Sequence, residues 1–246
     1  RRGQNDIFKR MKKNNIKKNW SLVIAIMFFS YAAHAQRSTS FLELGVYGMT
    51  QNYLGDVNNN SLGALTQEAR FGMGTQLKYN FSSILSLGAD VNYGSIYSHD
   101  NLHGNVDRDY QVDTDLLNLN VFTNIHFIPF GKYNLRNTHT PFIHIGMGAL
   151  TYQPHLNTNA QYPDQIELYP GTGQTFTYAL GFGWRIRRSL KTFYNLGIYY
   201  NGFGVSNIEG FNYNEDFGGW GSAEVSNTLD GSVTFKFGMS LGFFDQ

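Results

Sequence analysis

Gly231-Ser-Val-Thr-Phe-Lys-Phe-Gly-Met-Ser-Leu-Gly-Phe243 places Val233, Phe235, Phe237, Met239, Leu241 and Phe243 on one parity. Ser232, Thr234, Lys236, Gly238, Ser240 and Gly242 take the other. A strand has side-chain period two, so this segment is apolar on one face and small or polar on the opposite one. A soluble sandwich would turn the apolar face inward. Alternation over this length fits better with apolar side chains against lipid around a polar lumen, the inverted arrangement of an outer-membrane barrel.

Seven further segments repeat the pattern. Phe41 to Gly48 sets Leu42, Leu44 and Val46 against Glu43, Gly45 and Tyr47, and Arg70 to Tyr79 sets Phe71, Met73, Leu77 and Tyr79 against Arg70, Gln76 and Lys78. Ile84 to Gly94 turns Leu85, Leu87, Ala89, Val91 and Tyr93 outward and Asp90 and Asn92 inward. Val112 to Ile128 opposes Leu117, Leu119, Val121, Ile125 and Phe127 to Asn118, Asn120, Asn124 and His126. Phe142 to Leu150 sends Ile143, Ile145 and Met147 outward and leaves Phe142 and Leu150 to fill the ends of the tube. Thr175 to Ile186 and Thr192 to Asn201 complete the set with Phe176, Tyr178, Leu180, Phe182, Trp184 and Ile186, then Tyr194, Leu196, Ile198 and Tyr200.

The links alternate in length. Residues 80–83, 129–139 and 188–191 are short or modest, whereas 49–67, 96–111, 153–173 and 203–227 are long, polar and rich in Asn, Asp and Gly. Short periplasmic turns opposite long extracellular loops give this signature. The fold expected is all-β, an eight-stranded antiparallel transmembrane up-and-down barrel over residues 36–246, closed so that no strand edge meets hydrocarbon. Residues 1–35 read as an upstream extension and a signal-peptide helix: Met11, Lys12, Lys13, Lys17 and Lys18, the apolar run Leu22 to Phe29, then Ala33-His-Ala35 before cleavage. That run is well short of the roughly 20 residues a spanning helix requires.

Composition agrees. The chain has no Cys, 16% aromatic and 15% charged residues, 27 Gly and a net charge of +1, which leaves no thiolate metal site, no disulfide framework and no basic stripe for nucleic acid. No cofactor is expected. Tyr79, Tyr93, Trp184, Tyr194 and Tyr200 fall toward strand ends, where amphipathic rings sit at headgroup level.

Inward parity collects Glu43, Arg70, Lys78, Asp90, Arg185 and Lys236 in a tube just wide enough for side chains to fill it. Unpaired buried ions are costly, so mixed signs on neighbouring strands predict a lumen ion network rather than a solute path. The third link carries Ser98, His99, Asp100, His103, Asp107 and Asp109, and His155 stands in a later one. These are the residue types of a hydrolytic triad or a divalent metal site, and equally those of any solvated loop. Gly171-Thr-Gly173 and Gly218-Gly219 are turn chemistry.

Phe41-Leu-Glu-Leu-Gly-Val-Tyr-Gly48, followed by Asn52-Tyr-Leu-Gly-Asp-Val57, resembles the opening of a Bacteroidetes outer-membrane barrel family that includes the PorG-like component of the type IX (Por) secretion system. Members carry a Tyr-x-Gly-Asp motif in the first loop, here Tyr53, Gly55 and Asp56. A Thr-Asp-Tyr-Leu-Asp motif that members carry after the seventh strand is replaced by Phe203-Gly-Val-Ser-Asn-Ile-Glu-Gly210. Phe243-Phe244 resembles the aromatic signal read by the barrel-insertion machinery. The resemblance implies a non-enzymatic anchor or docking component whose partners are outer-membrane lipid and periplasmic secretion-system proteins. Lys132 and Arg136, in the roomiest periplasmic turn, are the candidate contact. A surface binding or adhesion barrel and a rim-sited lipid-modifying hydrolase are the alternatives.

Overall fold

Alternation does not stop where the lipid-facing residues stop, so the strands outrun the bilayer. A computed structural model describes residues 40–54, 67–99, 110–131, 136–158, 166–168, 171–205, 208, 211–213 and 230–243, all within the unit Ser40–Gln246. The expected signal segment, Gly55, Asp56, Lys132 and Phe244 lie outside the described residues, as do Asp100, His103, Asp107 and Asp109.

Eight strands close the barrel: β1 (Phe41–Leu54), β2 (Arg70–Asn80), β3 (Leu85–His99), β4 (Tyr110–His126), β5 (His139–Thr158), β7 (Gly173–Arg187), β8 (Thr192–Phe203) and β10 (Gly231–Phe243). The order around the wall is β1-β10-β8-β7-β5-β4-β3-β2, antiparallel throughout. Leu42 opposite Phe243 marks the seam where the first and last strands meet. β6 (Ile166–Leu168) and β9 (Phe211–Tyr213) form a separate antiparallel pair within two of the long loops. Three-residue strands carry too little alternation to be read from sequence.

Most strands are longer than the alternation predicts, β1 at 14 residues against eight, β3 at 15 against 11 and β5 at 20 against nine, while β4 keeps the 17 expected of it, shifted by two positions. A bilayer needs about 9–11. The surplus stands at the long-loop end, and there the polarity inverts. Along β1, Leu42, Leu44 and Val46 are exposed over buried Glu43 and Tyr47, but farther on Met49 and Tyr53 are buried beneath Thr50 and Asn52. β4 does the same, with Leu117, Leu119 and Val121 exposed below Asp113 and Asp115, and Val112 and Leu116 turned in. Residues 49–54, 96–99, 111 and 153–155, read as loop from sequence, therefore continue the wall as a collar that tends to the chemistry of a soluble barrel, with Met49, Tyr53 and Ile96 inside and Thr50, Asn52 and His155 outside.

The collar encloses an apolar cluster of Tyr53, Ile96, Leu116, Leu150 and Phe203, completed by Ile208 from the last long loop. Ile208 is held in place by its N–H on Asp230 Oδ2 (3.2 Å) and by Thr114 Oγ1 on its carbonyl (3.1 Å). At the other end Phe41, Phe130 and Phe193 pack together. Phe130 reaches the axis because its N–H bonds Ser83 O (2.7 Å) and Arg187 Nη2 holds Gly131 O (2.6 Å). The turn over 127–131 thus folds under the barrel as its stopper.

Candidate functional site

Between the two apolar ends, each inward side chain is set by parity on its strand. Glu43 on β1 faces Lys78 directly across the β1–β2 ladder, with Nζ to Oε1 at 2.8 Å. Arg185 of β7 reaches across the lumen to the other carboxylate oxygen. Its second nitrogen donates to Asn80 Oδ1 (3.1 Å), and Asn80 donates to Glu43 Oε2 (3.2 Å). Ser240 Oγ also bonds Glu43. One carboxylate thereby serves two cations, and all three charged side chains are 1% exposed. The guanidinium lies 4.3 Å from the Phe193 ring centre and 4.9 Å from that of Phe130, a cation–π seat that joins the ion cluster to the stopper.

A second cluster lies toward the collar. Asp90 Oδ1 accepts from Asn92 (3.0 Å) and Asn120 (3.1 Å), and Lys236 stands 3.9 Å from Oδ2. The Lys236 ammonium sits over the rings of Tyr47 (4.8 Å) and Tyr199 (5.0 Å). Tyr47 finds room because its cross-strand neighbours are Gly74 and Gly238, where a Cβ would come within 2.5 and 2.6 Å of it. His144 bonds Asn124 Oδ1 through Nδ1 at 2.8 Å and packs against Phe122 and Tyr199. A space of about 20 Å³ lined by Lys78, Asp90, His144 and Lys236 lies between the clusters, enough for one water.

Five of the six inward charges thus meet in two groups rather than one. Arg70 does not join them. β2 begins at Arg70 while the β2–β3 ladder begins only at Met73, so its side chain is not held into the tube and lies over Tyr97 at 3.9 Å. Sequence reading missed His144, Tyr199 and Asn195 as lining residues. Parity alone places all three on inward positions of β5 and β8.

The collar's outer face carries Asp113, Asp115 and His155. His155 Nε2 is 3.6 Å from Asp115 Oδ2. Partial burial, with Asp115 nearby, pushes the Asp113 carboxyl above the usual aspartate range against the pull of Arg70 and His155. Ser98 and His99, adjacent in sequence, point to opposite faces. Ser98 is buried with Oγ on Glu68 Oε1 (3.2 Å), and His99 turns outward with its N–H on the same oxygen (2.9 Å). Neighbours on a strand cannot serve one reacting atom. Among the described residues no three His, Asp or Glu side chains converge as a metal would need.

At the short-turn end Arg136 is exposed while Phe130 is buried. Tyr79, Tyr93, Trp184 and Tyr200 are exposed near the edges of the apolar belt, and Tyr194 stacks on Phe237.

A closed antiparallel wall with an apolar belt outside and charged, hydrogen-bonded side chains inside is an outer-membrane barrel of the smallest common size. The chain belongs to the family described as a domain of unknown function, DUF6089, whose model matches residues 17–217. Its fold is similar to that of Neisserial surface protein A, at 8% identity over 84% of this chain and 98% of that one, TM-score 0.45. It is similar also to OprG from Pseudomonas aeruginosa, at 11% identity over 85% and 98%, TM-score 0.44. A major outer membrane protein from Thermus thermophilus gives 11% identity over 82% and 99%, TM-score 0.42. No curated protein matches the chain.

Proposed function

We propose that this barrel is a non-enzymatic outer-membrane anchor that offers its short-turn end to a periplasmic partner. One observation carries this: the tube is filled from the Phe41, Phe130 and Phe193 stopper to the Ile208 cluster, so function falls to the rims. The end with short turns faces the periplasm by the usual asymmetry of such barrels. There Arg136, in the same turn as the buried Phe130, is exposed. The similarity of residues 41–57 to the PorG-like family supports the finer reading, docking of type IX secretion-system proteins. Replacing Lys132 and Arg136 by Gln, with Phe130 kept, tests it in native outer membranes. Loss of co-isolated periplasmic secretion proteins and of cargo secretion, from a barrel that still inserts, is the expected result. Unchanged co-isolation and secretion sink the docking reading.

A second reading, ligand binding at the cell surface, is favoured by the collar and by the β6–β9 pair at the long-loop end. Exchange of residues 159–172 for a short linker should then abolish surface binding and leave secretion intact.

A further inference from the structure

Two turns at the short-turn end are built alike and carry opposite chemistry. In the turn after β2, Phe81 N and Ser82 N both donate to Leu85 O, at 3.1 and 3.2 Å. Ser82 Oγ accepts from Ile84 N (3.2 Å) and Leu85 N (3.1 Å). In the turn after β7, Arg188 N and Ser189 N both donate to Thr192 O, at 2.9 and 3.3 Å. Ser189 Oγ accepts from Lys191 N (3.4 Å) and Thr192 N (3.2 Å). The serine folds both turns. The positions it does not use read Phe81, Ser83 and Ile84 in one, and Arg188, Leu190 and Lys191 in the other.

Backbone geometry therefore does not require the cations. Arg188, Leu190 and Lys191 are all exposed, Leu190 at 63%. Around them the wall is lipid-facing: Ile186 leads in on β7, and Lys191 O accepts from Gly242 N, between exposed Leu241 and Phe243 of β10. On the other side His139 stacks on Trp184 at 5.9 Å. Arg136 adds a third exposed cation on the adjoining turn, which Arg187 N ties down through Thr138 O (2.7 Å). No exposed carboxylate stands at this end among the described residues.

We infer that the Arg188-Ser-Leu-Lys191 turn is a binding site for anionic phospholipid of the periplasmic leaflet. Leu190 enters the acyl boundary, and Arg188 and Lys191 sit at phosphate depth on either side of it. A cation beside a surface-inserted apolar side chain draws acidic headgroups. A cell-wall or protein partner would not need Leu190 set among lipid-facing residues. The inference rests on the orientation proposed above and uses a different turn from the docking contact.

The experiment grafts one turn onto the other, R188F/L190S/K191I, in the full barrel, a sequence this turn geometry already accommodates. Wild type and graft are reconstituted in nanodiscs of phosphatidylethanolamine with a minor share of phosphatidylglycerol, and retained lipids are counted by native mass spectrometry. Wild type should enrich phosphatidylglycerol, and the graft should lose about fivefold of that preference for each cation removed. Equal retention by both proteins, or binding of the wild type to cell-wall sacculi with no lipid preference, overturns the inference. R188K should retain the preference. Insertion is read separately by protease protection. A wild type that fails to insert refutes the membrane anchor itself, whereas insertion without lipid selectivity refutes only the site.

Discussion

Glu43 is the residue on which the interior depends, because its single carboxylate is the anion shared by Lys78 and Arg185. Removing one partner of a buried ion group leaves uncompensated charge in a dry site and costs about 3–5 kcal/mol. Glu43→Gln should lower the unfolding free energy of the barrel in vesicles, read from urea titration, by that amount. Adding Lys78→Met should recover part of the loss, since the two sites share one cluster and their effects cannot add. Glu43, Lys78, Asp90, Arg185 and Lys236 were legible as inward charges from strand parity alone. Their division into two clusters was not, because parity gives the face of a residue and not its height. Arg70 misled for a related reason: parity constrains a side chain only where both neighbouring strands are present to enforce it.

Among the elements, the link 129–139 departs most from its sequence reading, which took its length as room for a partner at Lys132 and Arg136: Phe130 and Gly131 are buried and close the tube. An apolar residue in a turn has no period to reveal which way it points, so its inward role was invisible. Phe130→Ala should cost about 3–5 kcal/mol, the usual loss for a buried Phe, while Arg136→Ala leaves the unfolding free energy unchanged within about 0.5 kcal/mol. Strand lengths failed in sequence for a different reason. Apolar-out alternation ends β1, β3 and β5 where the polarity reverses; Asp113 and Asp115, on the outward parity of a β4 already read from Val112, were the available signal that the wall continued into water.

For the molecule as a whole, belt and collar make opposite demands on the same outer face, and substitutions should report which is which. Leu119→Arg, in the belt, should destabilise the reconstituted barrel by about 2–4 kcal/mol. Asn52→Arg, in the collar, should stay within about 0.5 kcal/mol. Equal penalties at both positions would mean that the surface has no boundary there. The inversion between Val46 and Thr50, repeated between Leu117 and Asp115, acts as a waterline drawn into the chain. A barrel marked in this way cannot settle deeper when the surrounding bilayer thickens, since sinking would dehydrate Asp113, Asp115 and His155. The lipid has to stretch or thin to meet the protein, and the immersion depth stays constant from one membrane to the next.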